Sequence, residues 1–262
     1  MTLLQRLARR LGYDLTLHRK ARPHEAQLAA VLARFRVSCV LDVGANVGQY
    51  AAMLRAQGFG GRIISFEPLA AAHAALAARA AGDRGWLVAP PMAIGDRDGE
   101  TLIELSAESD MSSILPQSAI LRRISPSSAV LRRETVAIAR LERAAQPYLG
   151  PDDRAFLKID TQGFEPQVLE GAGGLLERLL GVQLEMSLVA CYEGEVGFRT
   201  MIDRMAQAGF EPYLFIPGYF ERKLGRQLQL DGVFMRAATV ARSPLTAVRA
   251  APTSMATEDG AS

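Results

Sequence analysis

Long apolar runs, paired histidines and paired cysteines are missing from this chain, and each absence removes a class of protein. No stretch approaches the ~20 consecutive apolar residues of a membrane span. The N-terminus carries neither the apolar block nor the small-residue cleavage site of a signal peptide, so the expected location is cytoplasmic. The three histidines, His18, His24 and His73, form no H-x-x-x-H pair, which removes the usual metal-hydrolase signature. Cys39 and Cys191 sit far apart in apolar, strand-like surroundings, so free buried thiols are expected in place of a disulfide or zinc site. Lysine is nearly absent, with Lys20, Lys158 and Lys223 the only ones, and the net charge is +2. That balance argues against a nucleic-acid surface.

What remains suits one substantial core: 262 residues, 49% of them hydrophobic. Three stretches are expected: a helical extension over 1–36, a main domain over 37–237 and a small, polar, Pro-containing tail over 238–262 that is disordered. Within the extension, Leu3, Leu4, Leu7 and Leu11 form an apolar stripe beside Arg6, Arg9, Arg10, Arg19, Lys20 and Arg22. Residues 1–22 are expected to dock on the domain, with at most weak peripheral contact to an anionic membrane. A second amphipathic helix spans His24 to Phe35.

From there strands and helices alternate: strand 37–43, helix 47–57, strand 61–66, helix 69–81, strand 86–89. Alternation of this kind predicts parallel strands with crossover helices on both faces. Met92 to Asp96 reads equally as a tight turn or as a place where small Ala93 and Gly95 admit a flat base. Strand character returns at Thr101 to Leu105 and at Thr135 to Arg140. Between them, residues 106–133 are rich in serine and arginine, including Ser112 and Ser113, and read as a lid over the substrate, with a plain surface loop as the alternative. Leu141 to Tyr148 is a helix or turn. Phe156 to Asp160 is the fourth core strand, Glu165 to Leu180 a helix weakened at Gly173-Gly174, and Gly181 to Leu188 the fifth strand. Phe198 to Ala208 is helical, and Tyr213–Ile216 with Asp231–Met235 form a closing antiparallel pair.

The most informative run is Val40 to Tyr50, VLDVGANVGQY, which joins a buried strand to a helix through Gly44 and Gly48. Gly44 can take a positive φ, and Gly48 leaves room for a ligand against the backbone. The next strand delivers Glu67 to the same sheet edge, where a carboxylate can accept both hydrogen bonds of a ribose diol. Two cofactors fit such a pocket, a dinucleotide and S-adenosylmethionine. A dinucleotide site calls for G-x-G-x-x-G and a helix N-terminus aimed at a pyrophosphate. Here the turn is Gly44-Ala45-Asn46-Val47-Gly48 with Asp42 before it, and a carboxylate suits the cationic parts of S-adenosylmethionine better than a pyrophosphate. Asp42, Glu67, Asp160 and Glu185 each fall at the carboxyl end of an expected strand. Four acids on one rim repel one another unless a cation, a proton or donors intervene.

The ordered motifs Asp42–Tyr50, Phe66-Glu67-Pro68, Ala93–Asp96, Ser112-Ser113, Leu157–Glu165 and Val168–Ala172 resemble those of the FkbM family of S-adenosylmethionine-dependent methyltransferases, over about Val37 to Arg236. The resemblance implies a Rossmann-like class I methyltransferase fold, α/β, with a mostly parallel central sheet, helices on both faces and an antiparallel C-terminal strand pair. It implies methylation of a hydroxyl on a sugar, glycan or secondary metabolite. By the same likeness Asp42, Gly44, Asn46 and Gly48 line the methionine side, with Tyr50 closing that run. Glu67 holds the ribose, Ala93 the adenine, and Asp160 sits nearest the transferred methyl. The family's usual Val-Glu-Gly after that Asp is Thr161-Gln162-Gly163 here, which argues against a bound metal.

An alcohol must lose its proton on methylation, and Asp160 or Glu185 can act as general base. Tyr192 and Glu193, after the fifth strand, are candidate acceptor contacts, alongside Ser112 and Ser113. The expected partner is a small-molecule or glycan acceptor, and a homodimer is compatible with the sequence. Two alternatives remain: a methyltransferase-like binding protein without chemistry, and an NAD-dependent oxidoreductase.

Overall fold

The structure, a computed structural model, describes residues 10, 23–107 and 111–241. Its first part alternates as α1 (Pro23–Arg34), β1 (Cys39–Val43), α2 (Gln49–Ala56), β2 (Arg62–Phe66), α3 (Ala70–Ala80) and β3 (Trp86–Val88). A middle part follows with β4 (Ala93–Gly95), β5 (Gly99–Ser106), α4 (Ala119–Ile124), β6 (Val130–Arg140) and α5 (Leu141–Ala145). The chain then returns to the first sheet through β7 (Ala155–Ile159), α6 (Glu165–Ala172), α7 (Leu175–Arg178) and β8 (Gly181–Ser187). Last come α8 (Phe198–Gln207), β9 (Phe210–Pro217), the short pair β10 (Phe220–Glu221) and β11 (Arg226–Gln227), β12 (Gln229–Arg236) and α9 (Ala237–Ala241).

Seven strands form the main sheet in the order β3-β2-β1-β7-β8-β12-β9. The first five are parallel, and β12 runs antiparallel to both β8 and β9. This is the Rossmann-like class I arrangement with its antiparallel C-terminal pair, as the motifs imply. Central β1 and β7 are buried along their whole length, because helices cover both faces. On one face Leu28, Leu32 and Phe35 of α1 pack with Ala51 and Leu54 of α2 in one core cluster. On the other, Val168 and Leu169 of α6 join Met201 and Met205 of α8. The second helix of the sequence-defined extension is therefore part of the main core.

A separate three-stranded sheet, β4-β6-β5, lies between β3 and β7 in the chain. Here the structure departs from the sequence expectations. Met92–Asp96 is no isolated turn, since Ala93, Ile94 and Gly95 pair in parallel with Ile138, Ala139 and Arg140. Residues 106–133 are not one long loop either. They contain α4 and the start of β6, and Ser113 bridges back to Glu104 through two backbone hydrogen bonds of 2.8 and 3.1 Å. Serine and arginine hid the short α4, and β4 and β5, the strand partners of β6, lie far back along the chain.

The expected helix over 165–180 breaks at Gly173, where φ is +49°, into α6 and α7. Ala238–Ala241, expected to begin a disordered tail, complete α9, whose Val240 is buried. The amphipathic expectation for residues 1–22 and the remainder of the tail expectation, 242–262, lie outside the described residues, apart from residue 10. Among the described residues no helix is long and apolar enough to cross a membrane.

Candidate functional site

Adjacent β1 and β7 carry their onward chains to opposite sides of the sheet, leaving a crevice at their carboxyl ends. A cavity of about 590 Å3 occupies it, a size suited to a cofactor and a small acceptor. Its floor includes Lys158 and Gln183, and Glu67 stands at the end of β2. Met92, Ala93, Ile94 and Ile103 from the small sheet form an apolar wall, continued by Ser112 and Ser113. His24 and Glu25 from α1, with Tyr50, Ile216 and Asp231, form the opposite wall.

Beneath the cavity runs a buried polar row set by strand register: Ser65, Asp42, Lys158 and Gln183 lie side by side across β2, β1, β7 and β8. Lys158 Nζ stands 3.2 Å from Asp42 Oδ1, 3.0 Å from the Gly44 carbonyl oxygen and 3.7 Å from Asp160 Oδ2. It also lies 5.3 Å from the Tyr50 ring centroid. Burial alone would lower its pKa, but the carboxylates of Asp42 and Asp160 outweigh that and raise it, so the ammonium stays charged. Asp42 is fully buried, paired with Lys158 and receiving the Ser65 hydroxyl at 3.2 Å. It lies behind the cavity wall and does not line it.

Glu67 is buried, and its oxygens accept from the backbone N–H groups of Asn46 and Leu69, both at 2.9 Å. Burial raises its pKa, while those two donors and Lys158 pull the other way. Asn46 holds φ +46°, which points its amide at Glu67. Gly48 is outside the cavity wall. A Cβ there would meet Trp86 at 2.8 Å and Leu76 at 2.9 Å, so its missing side chain accommodates the core and not a ligand.

Asp160 reaches the cavity with a side chain 43% exposed, and its Oδ1 accepts from Gln162 Nε2 at 2.8 Å. The same Nε2 donates to Glu185 Oε2 at 3.1 Å, and Gln229 donates to that oxygen at 2.8 Å. Glu185 therefore lies behind Gln162, inside β8 and not at its end. Burial first, then Asp160, pushes its pKa well above the usual carboxylate range. Tyr192 is buried too, donating its hydroxyl to Gln162 Oε1 at 2.7 Å, and so fixes which way that amide points. Glu193 faces solvent, 3.6 Å from Arg122. Neither Tyr192 nor Glu193 is in the cavity wall, in contrast to the expectation from sequence. Ser112 and Ser113 are, with Ser113 Oγ donating to the Gln162 carbonyl oxygen at 2.7 Å.

Asp231, which no sequence motif marks, lines the cavity directly opposite Glu185 in the β12–β8 register. It accepts from Gln183 Nε2 at 3.0 Å, and Gln183 in turn accepts the Tyr50 hydroxyl at 2.9 Å. Burial pushes its pKa up to about 6. Burial, followed by Asp42 and Asp231, also raises Tyr50 well above its ordinary value. A signal for Lys158 and Asp231 was present, since each is a lone charge inside an apolar strand. Among the described residues no group of His, Cys, Asp or Glu has metal-holding geometry.

The Thr161-Gln162-Gly163 turn depends on Glu165, whose Oε1 accepts from Thr161 N at 2.9 Å, Thr161 Oγ1 at 3.1 Å and Gly163 N at 3.3 Å. Burial pushes this carboxyl up to about 7 from its usual 4.5. A raised carboxyl binds its proton more tightly in the folded chain. Its stabilising contribution is therefore complete below about pH 4.5 and is lost as pH rises through 7. Glu165→Gln keeps an accepting Oε1 and removes the titration. Thermal unfolding from pH 5 to 8 should show a shallower loss of stability in this variant, by an amount on the order of 3 kcal/mol. Parallel pH profiles for the two proteins would contradict it.

A family description, methyltransferase FkbM domain, matches residues 42–212. No curated protein gives a match. Among solved structures, the methyltransferase domain of bacterial CtHen1 is similar at 14% identity, covering 82% of this chain and 98% of that one, with a TM-score of 0.44. The precorrin-6y C5,15-methyltransferase of Geobacter metallireducens GS-15 shows 9% identity over 80% and 87% of the two chains, TM-score 0.42. The Burkholderia thailandensis 1,6-didemethyltoxoflavin-N1-methyltransferase shows 16% identity over 82% and 77%, TM-score 0.42.

Proposed function

Because the chain belongs to the FkbM methyltransferase family, we propose that it moves a methyl group from S-adenosylmethionine to a hydroxyl oxygen on a sugar, glycan or secondary metabolite. The observation that carries this reading is the charge arrangement of the cavity. The carboxylates of Glu67 and Asp160 face inward at the ends of β2 and β7, while Lys158 in the wall is held by Asp42, Asp160 and the Gly44 carbonyl. Such a lining accepts a cationic ligand and gives a pyrophosphate no cradle, which disfavours a dinucleotide.

S-adenosylmethionine fits the residues present. Each Glu67 oxygen holds one backbone N–H and keeps a lone pair for a ribose hydroxyl. Ala93, with Met92 and Ile94, offers a flat apolar wall for adenine. Gly44, Asn46, Tyr50 and Asp160 surround the space left for the methionine portion, with Asp42 acting from behind through Lys158. When bound, the cofactor supplies an electrophilic methyl on a cationic sulfur.

The remaining work falls to the protein. The acceptor oxygen has to be held in line with the methyl and kept from water. Asp160 is the exposed carboxylate best placed to take the hydroxyl proton, and Gln162 keeps its Oδ1 oriented. Ser112, Ser113 and Asp231 are in position to orient the acceptor.

Asp160→Asn tests the proposal. With labelled S-adenosylmethionine and a panel of hydroxylated acceptors, transfer should fall roughly 100-fold, while cofactor affinity changes only a few-fold. Near-normal turnover in the variant would sink the assignment of Asp160.

A further inference from the structure

Outside the cavity, one surface combines large exposed apolar side chains with unbalanced positive charge. A satellite core of Leu121, Cys191, Tyr192 and Leu228, with Tyr219 packed against it, lies beyond the main sheet. Two elements are mounted on this cluster, α4 through Leu121 and the β10–β11 hairpin through Tyr219 and Leu228. The hairpin presents Phe220, 53% exposed, and Leu224, 55% exposed. Ile120 on α4 is 44% exposed, and Leu188, whose N–H bonds the Leu228 carbonyl, is 40% exposed.

Single exposed apolar residues are ordinary, but these four lie on segments whose neighbouring residues Leu121, Tyr219, Leu228 and Val189 pack in one small cluster. Their polar neighbours are mostly cations: Arg122, Arg123, Arg222, Lys223 and Arg226 are all exposed. The five cations outnumber the two acids beside them. Glu221 accepts the Tyr219 hydroxyl and the Lys223 N–H, both at 2.8 Å, and Glu193 faces Arg122.

We propose that the face formed by the β10–β11 hairpin and α4 docks on an anionic lipid surface, with Phe220 and Leu224 entering the headgroup boundary and the surrounding arginines and lysine meeting lipid phosphates. The charge complementarity selects this occupant: apolar side chains ringed by cations suit an interface that is apolar below and negative above. Each Lys or Arg close to such a surface contributes roughly fivefold to partitioning. The docking face lies beside the chemistry, because Tyr192 in its supporting cluster bonds Gln162 in the cavity wall. The inference stands independently of the acceptor's identity.

The test is co-sedimentation of the full chain with phosphatidylcholine vesicles, with and without about a third phosphatidylglycerol. Binding is expected on the anionic vesicles only, weakening with added salt. Two variants, Phe220→Ser with Leu224→Ser, and Arg222→Gln with Lys223→Gln and Arg226→Gln, should each weaken it at least about tenfold at an unchanged unfolding midpoint. All of these positions but Phe220 lie in the hairpin turn or on β11 and are exposed, so the charge variant keeps the test valid if the apolar one folds poorly. Lys20→Gln with Arg22→Gln should leave the binding in place. Absence of binding to anionic vesicles, or wild-type binding by a folded hairpin variant, would overturn the proposal.

Discussion

Lys158→Met should destabilise the fold by about 3–5 kcal/mol, because it removes the ammonium paired with a buried carboxylate. Asp42 has no exposure to solvent, and apart from Lys158 Nζ at 3.2 Å its side chain meets the Ser65 hydroxyl at 3.2 Å. Methionine preserves the length and the apolar stem, so the loss comes from the ammonium and not from a cavity. The Gly44 carbonyl and Asp160 lose the same partner, loosening both the glycine turn and the cavity's acid. The double variant Asp42→Asn with Lys158→Met should recover at least half of the loss, since a neutral amide is far less costly to bury than an unpaired carboxylate. Urea unfolding of the two variants checks this. Equal midpoints for Lys158→Met and wild type would show that the polar row does not hold the sheet together.

Gly44→Ala should rank next, through backbone contact instead of charge. Gly44 has φ +72°, and a Cβ built on it would lie 1.8 Å from the Asp160 carbonyl oxygen. The positive φ costs an alanine about 1–2 kcal/mol, and forcing apart the β1 and β7 loops adds about 1–3 kcal/mol. That displacement moves the Gly44–Asn46 turn, which lines the methionine side of the cavity, so cofactor affinity should fall at least about tenfold along with stability. Gly58→Ala separates the two contributions. Gly58 also has a positive φ, +86°, but among the described residues nothing beyond its own chain neighbours lies within 4 Å of its would-be Cβ. Its variant should show the strain alone and bind cofactor normally. If the two alanine variants lose equal stability, close approach at Gly44 is not what that glycine provides.

The parallel core was legible in the sequence because its strands are short apolar runs bounded by turns, and because Glu67 follows one of them directly. The same pattern concealed what lies between strands. Lys158 and Asp42 are neighbours only through the β1–β7 register, which one sequence does not disclose. Asp42 consequently looked like a ligand-facing acid when it is the buried partner of a lysine. Gly48 looked like ligand space and proved to be occupied by Trp86 and Leu76. Tyr192, expected as an acceptor contact, is set back from the cavity, because Gln162, with φ +55°, stands between them. Three-residue β4 has too little length to show a period, and its partner β6 lies some forty residues on. The contribution of α1 to the cavity wall depends on how a helix packs over the sheet, and its own amphipathic pattern carries no record of that.

The central claim is that the cavity between Glu67 and Asp160 is built for S-adenosylmethionine. Calorimetric titration of the full chain with S-adenosylmethionine, S-adenosylhomocysteine and NAD, repeated on Glu67→Ala, tests it most directly. Saturable binding of both adenosyl ligands, weakened at least about tenfold in the variant and accompanied by no NAD binding, is the predicted result. Binding of NAD alone, or of none of the three, would contradict the account.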